Sequence, residues 1–232
     1  MFFFSILTLA GCGEPEEEKN TQYLIKTPLK VITSSDFLEE LDLKRAAYSY
    51  NIDENPAEYN EMVIDLVKML SEEIILLSAA ADKGIIISDQ DVDLAEDEFK
   101  KDYPEDSFEQ ILLKNAISYS LWKKRFRKNM IIDKLIDQEL RQKIQITSRD
   151  IVEFYKTYHS DDKTGEKTKN ETEKELVKRL RLQKTQDHYG QWIHELGNVY
   201  PVEINKEQLK SFLIDITQSK GKENATDTTK KN

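Results

Sequence analysis

Residues 55–84, NPAEYNEMVIDLVKMLSEEIILLSAAADKG, decide how this chain folds. Asn55-Pro56 opens a helix, because proline is tolerated at the first helical position, where its missing N–H is not needed. From Pro56 to Lys83 the apolar residues Tyr59, Met62, Val63, Leu66, Leu70, Ile74, Leu77 and Ala81 recur every three or four residues. That period lays one continuous stripe along an α-helix and cannot be satisfied by a strand. At about 1.5 Å per residue the helix is roughly 40 Å long, and Gly84 stops it as a left-handed cap. A helix of that length needs partners of similar length along its stripe, so the chain is expected to be mostly α.

The composition agrees. Charged residues make up 34% and apolar ones 38%, the latter below the usual 45–50% or so of globular domains. Seven glycines and five prolines in 232 residues are too few for a fold built from many tight turns. The net charge of −10 argues against nucleic acid, whose phosphates require clustered Lys and Arg. The one basic run, Lys123, Lys124, Arg125, Arg127 and Lys128, is interleaved with Trp122, Phe126 and Met130 and reads as the solvated side of one helix.

On either side of the long helix the pattern repeats. Val31-Ile32 is a short strand leading through Thr33-Ser34-Ser35-Asp36 into a helix from Asp36 to about Tyr50, with Phe37, Leu41 and Tyr48 inward. Ser88 to Asp91 is a capping box for a helix carrying Val92, Ala95 and Phe99. Ser107 opens a short helix to about Asn115, and Ser118 a long one to about Lys143 through Trp122, Phe126, Met130, Ile132, Leu135, Ile136 and Leu140. Thr147 to Asp150 caps a further helix with Ile151, Phe154 and Tyr155. Residues 159–172 contain no apolar side chain and read as a polar linker. A helix follows from about Glu173 to Leu196, broken by Gly197-Asn198; Val202-Glu203-Ile204 has strand character, and Asn205 caps a last helix through Phe212. Residues 215–232 read as a disordered tail.

The first residues, MFFFSILTLAGC, are almost wholly apolar and end abruptly at Cys12. They are too few to span a bilayer, which takes about 20, but suit an export signal. Leu9-Ala10-Gly11-Cys12 resembles a bacterial lipobox, so residues 1–11 are expected to be a lipoprotein signal peptide and Cys12 the lipidated residue. Cys12 is the only cysteine, so no intramolecular disulfide can form. Residues 12–28 read as an acidic tether on the strength of Gly-Glu-Pro-Glu-Glu-Glu-Lys-Asn. Gly13 stands where an inner-membrane retention aspartate would sit, which points to a periplasmic, lipid-anchored protein of the outer membrane.

Signs of chemistry are few. His159, His188 and His194 are the acid–base candidates, and His188 and His194 are six apart, on different faces of a helix. No further cysteine joins them as a metal ligand, no glycine-rich phosphate loop exists, and the serines sit at helix starts where capping explains them. No metal, cofactor or catalytic residue is expected. The aromatic and methionine stripe Tyr119, Trp122, Phe126, Met130, with Tyr103 and Phe108 nearby, has two readings: a core seam, or one wall of an apolar peptide-binding groove.

The order of these features resembles the SurA N-terminal chaperone family, related to the chaperone arms of trigger factor. The resemblance rests on ITSSDF (Ile32–Phe37), LSEEIILLSAAADKGIIISDQDV (Leu70–Val92), YPEDSFEQILLKNAISYSLWKKRFRKNMIIDKLI (Tyr103–Ile136), ITSRDIVEFYKTYH (Ile146–His159) and LQKTQDHYGQWIHELGNVYPVEIN (Leu182–Asn205). It implies one helical chaperone domain formed by residues 29–158 and completed by 173–214, with Val202-Glu203-Ile204 paired beside Lys30-Val31-Ile32 as a short two-stranded sheet. Many relatives carry a prolyl-isomerase domain where residues 159–172 lie here, and fourteen residues are too few to fold unaided, which takes about 40. The expected function is therefore chaperoning without catalysis, with unfolded or newly exported polypeptides as partners and the membrane reached through Cys12. The alternative is a scaffold lipoprotein dedicated to one partner in export or envelope assembly.

Overall fold

The structure, a computed structural model, describes residues 23–104, 107–160 and 173–216. Residues 1–11, expected to be a signal peptide, and Cys12, all but the first two residues of the expected linker 159–172, the stretch from Thr217, and the side chains of Tyr155 and His159 lie outside the described residues. The chain is mostly α. Among the described residues eight α-helices accompany one three-stranded antiparallel sheet.

β1 (Tyr23–Lys26) is the central strand, flanked by β2 (Val31–Thr33) and β3 (Glu203–Ile204). This corrects two expectations. Tyr23–Lys26 lies inside the stretch read as tether, yet Leu24 and Ile25 are completely buried. Adjacent strand residues point to opposite faces, so burial of both marks a strand covered on both sides, as a central strand is. Val202-Glu203-Ile204 accordingly pairs with β1, not with Lys30-Val31-Ile32, in the register Ile25 to Ile204 and Lys26 to Glu203. The apolar run of β1 is three residues long, too short to stand out beside the acidic segment before it.

Thr33 caps α1 (Ser34–Ala46) with a reciprocal capping box to Asp36, two residues earlier than expected, and the helix stops short of Tyr48. α2 (Pro56–Asp82) is capped by Asn55. It ends in a Schellman motif, with Gly84 at φ +64° and hydrogen bonds from the Gly84 N–H to the Ala81 carbonyl and from the Ile85 N–H to the Ala80 carbonyl. In the second half of α2 Ala81 is exposed, contrary to the single-stripe reading, and Leu76, Ala79 and Ala80 are buried instead. Two helices pack there from different sides, so one stripe no longer describes the buried surface.

α3 (Asp89–Lys100) has the expected capping box between Ser88 and Asp91. α4 (Ser107–Lys114) and α5 (Tyr119–Glu139, capped by Ser118) follow, the latter giving way to a 3₁₀ turn at Arg141–Lys143. α6 (Ser148–Ser160) starts at Thr147, whose N–H and hydroxyl donate to Asp150. α7 (Glu173–Val199) continues through Gly197-Asn198, which does not break it. α8 (Lys206–Lys210) is shorter than expected, and Phe212, Leu213 and Ile214 continue as irregular chain against the core.

Two apolar cores are strung along α2. The first joins Leu24 and Ile25 of the sheet, Phe37 and Leu41 of α1 and the first half of α2, closed by Phe212 to Ile214. The second joins Leu76, Ala79 and Ala80 of α2 to Leu135 of α5 and to Trp192, Ile193 and Leu196 of α7. A buried hydroxyl pair, Thr27 Oγ1 to Ser78 Oγ at 2.7 Å, ties the loop after β1 to α2.

Candidate functional site

Five of the six aromatic and methionine residues singled out from the sequence come together. Trp122 stacks on Phe126 (4.9 Å between centroids, 15° between planes), meets Phe108 edge-on at 4.8 Å, and lies 6.0 Å from Tyr119. Tyr103 joins through Phe108 at 5.7 Å. The centre of the cluster is a residue outside that set: Phe99 of α3 touches Tyr103, Phe108, Trp122 and Phe126, all within about 6 Å. Met130 sits one helical turn beyond Phe126, half-buried. The cluster thus joins α3, α4 and the first half of α5, with Phe108 buried and Phe99, Tyr103, Trp122 and Phe126 half-buried. Within it only Tyr119 is substantially open, at 45% exposure, while Leu113 on the outer face of α4 reaches 81%.

A carboxylate network caps this cluster. Glu96 of α3 is 5% exposed. It accepts hydrogen bonds from the Tyr119 hydroxyl at 2.6 and 2.7 Å and pairs with Lys100 at 2.8 Å and Lys123 at 3.1 Å. Burial opposes ionisation, but the hydrogen bonds from Lys100, Tyr119 and Lys123 outweigh it and hold the carboxyl at about 2. Lys100 also lies over the Phe108 ring at 4.9 Å and Lys123 over the Tyr119 ring at 5.6 Å.

The basic run of α5 is not simply a solvated face. Lys123 pairs with Asp93 at 2.6 Å, Lys124 with Glu39 at 3.5 Å, Arg125 with Glu40 at 3.0 Å, Arg127 with Asp89, and Lys128 with Glu73 at 2.5 Å. Each of the five cations meets a carboxylate of α1, α2 or α3, so the run fastens α5 where it crosses those helices. Helical periodicity shows the spacing of charges but not which neighbouring element supplies the opposite sign.

Among the described residues an open concavity lies between α2 and α7 beside β3. It is shallow and open to solvent, with a volume of about 680 Å³. Val67 and Ile75 of α2, Ile193 and Gly197 of α7, and Val202 and Ile204 at the sheet edge form its apolar walls, with Lys68, Glu72, His194 and Asn198 among its polar lining. Gly197 keeps this groove open, since its α7 position carries no side chain and a Cβ there would meet only Ile75 Cδ1 at 3.7 Å. Glu72 is held by the Tyr189 hydroxyl at 2.5 Å, and burial followed by that hydrogen bond raises the Tyr189 phenol. Sequence reasoning did not find this site, because its walls come from segments more than a hundred residues apart. Gly197, read as a helix breaker, was the one available signal.

His188 and His194 are exposed. Among the described residues no group of three or more His, Cys, Asp and Glu is placed to hold a metal ion, and no described helix is long and apolar enough to cross a membrane. No protein-family model matches the chain, and no curated protein matches its sequence.

Proposed function

We propose that this chain is a non-catalytic chaperone of the periplasm, tethered by a lipidated Cys12 to the outer membrane, that holds unfolded or newly exported polypeptides. The observation that carries the reading is the α2–α7 groove. It is open to solvent, walled by aliphatic side chains and edged by polar ones, and at about 680 Å³ falls within the roughly 300–1,000 Å³ typical of binding clefts. The apolar part of the lining favours chains by apolar content over exact sequence, as a holding chaperone requires, and Lys68, Ser71, Glu72, His194 and Asn198 offer hydrogen bonds along it. The resemblance of five ordered segments to the SurA N-terminal family supports the same reading, and the lipobox-like Leu9 to Cys12 supports the anchor.

The test is aggregation of an unfolded outer-membrane β-barrel protein diluted from urea, followed by light scattering. The chain is expected to suppress scattering at a few-fold molar excess. No suppression, together with recovery of one stoichiometric partner from envelope extracts, would replace the chaperone reading with that of a dedicated scaffold.

A further inference from the structure

Ile204 stands at the junction of the groove and the sheet. The Asn205 N–H donates to the Leu24 carbonyl at 2.9 Å, and Ile25 lies opposite Ile204 in the β1–β3 register. In an antiparallel ladder the residues that bond to a neighbouring strand alternate with residues whose N–H and C=O point the other way. With Glu203 and Asn205 turned toward β1, the Ile204 N–H and C=O face outward. Among the described residues no strand pairs with that outer edge of β3. Val202 and Ile204, two apart and so on one face of the strand, are the residues that line the groove.

We infer that the groove takes an extended polypeptide segment of alternating apolar and polar residues, which adds to β3 as a fourth strand. It pairs its backbone with the N–H and C=O of Ile204 and sets its apolar side chains between α2 and α7. This rests on the chaperone reading and adds to it the conformation of the bound chain. An unpaired edge beside an apolar wall is the arrangement by which sheets recruit further strands. The groove follows α2 from Val67 to Ile75, about 12 Å, enough for about four extended residues. Four residues place two apolar side chains on the groove face and two polar ones in solvent.

By composition, the chain's own segments outside the described residues do not suit the site. Thr217–Asn232 has Ala225 as its only apolar residue, Gly13–Gln22 has none, and neither has 161–172; Phe2–Ala10 is removed with the signal peptide in the reading above. Nor does a second copy, since two short β3 edges give two hydrogen bonds and little of the roughly 1,200–2,000 Å² that stable interfaces bury.

The experiment measures binding of a short fluorescent peptide alternating valine and threonine to the full chain in lipid nanodiscs, with the aggregation assay run in parallel. Methylating the peptide nitrogens along one edge, then the other, is expected to weaken binding about three- to tenfold for one of the two, the worth of the one peptide N–H that donates to the Ile204 carbonyl. Gly197→Leu, which fills the groove from a helical position, is expected to abolish binding with the thermal transition retained. Ile204→Pro, which removes the outward N–H, is expected to weaken binding about as much as methylation does; where it fails to fold, the methylated peptides on the unchanged chain answer the same question. Equal affinity for plain and both methylated peptides, lost in Gly197→Leu, would overturn strand addition and leave the chaperone reading standing. Suppressed aggregation without peptide binding would overturn this groove as the site, and failure of both assays would remove both readings. A dimer that Gly197→Leu dissociates, or tighter peptide binding after removal of Thr217–Asn232, would assign the groove to a second copy or to the chain's own tail and overturn the inference.

Discussion

Glu96 shows how much of a fold's stability can be concentrated in one side chain. Its carboxylate is closed over by Tyr119, Lys100 and Lys123, and its depression from 4.5 to about 2 fixes the sign of its pH dependence. A group with a lowered folded-state pKa contributes stability that is complete above its unfolded value and is lost as pH falls toward the folded one. The contribution here is at most about 3 kcal/mol, present above about pH 5 and disappearing between about pH 5 and 2. Glu96→Gln leaves two lysines without their shared carboxylate and is expected to destabilise the protein by about 2–3 kcal/mol at pH 7. Urea titrations at a series of pH values check both points: the variant should show a flatter acid limb than the parent, and an unchanged limb would assign the acid sensitivity to other carboxylates. Sequence alone placed Glu96 among 44 acidic residues with nothing to distinguish it. Its environment is built from three elements, and only their packing makes it exceptional.

Helix boundaries followed local rules wherever a side chain caps its own helix. Asn55, Ser88 and Ser118 do so as their sequences indicate, because capping involves residues three apart in the chain. The C-terminal ends are more instructive. α2 and α4 close with the same pair of Schellman hydrogen bonds, the latter from Ala116 to Leu113 and from Ile117 to Leu112. The left-handed position is Gly84 in α2 but Ala116 in α4, at φ +53°. Ala116→Gly is therefore expected to stabilise the protein by about 1 kcal/mol. Gly197 is the converse, a glycine in helical conformation inside α7 with room for a methyl group, and Gly197→Ala is expected to add about 0.5–1 kcal/mol. Thermal denaturation of the two variants measures both; a fall in midpoint for Gly197→Ala would show that the groove wall tolerates no added atom. The misreading of Gly197 as a breaker came from propensity, which packing against α2 outweighs.

At the scale of the whole molecule the sheet is the closure. β1 carries residues from near the start of the described chain and β3 residues from near its end, and Phe212 reaches Phe37 edge-on at 4.8 Å. Removing either side of that closure opens the same core. Leu24→Ala and Phe212→Ala are each expected to cost about 3 kcal/mol and to lower one common unfolding transition, seen by circular dichroism and tryptophan fluorescence alike. If residues 23–28 were only a tether, Leu24→Ala would be silent. By itself the sequence determined the helices, their order and most of their caps, since periodicity and capping are interactions between residues a few positions apart. It also determined the membership of the aromatic cluster apart from its centre, Phe99, because aromatic residues crowd into Tyr103–Phe126. Only the tertiary structure decided that Leu24 and Ile25 are core, that β3 pairs with β1, that the basic run of α5 meets carboxylates of three helices, and that the open groove lies between α2 and α7. Those outcomes depend on which surfaces segments far apart in the chain bury against each other, and that is settled by shape and burial together, which no local pattern records.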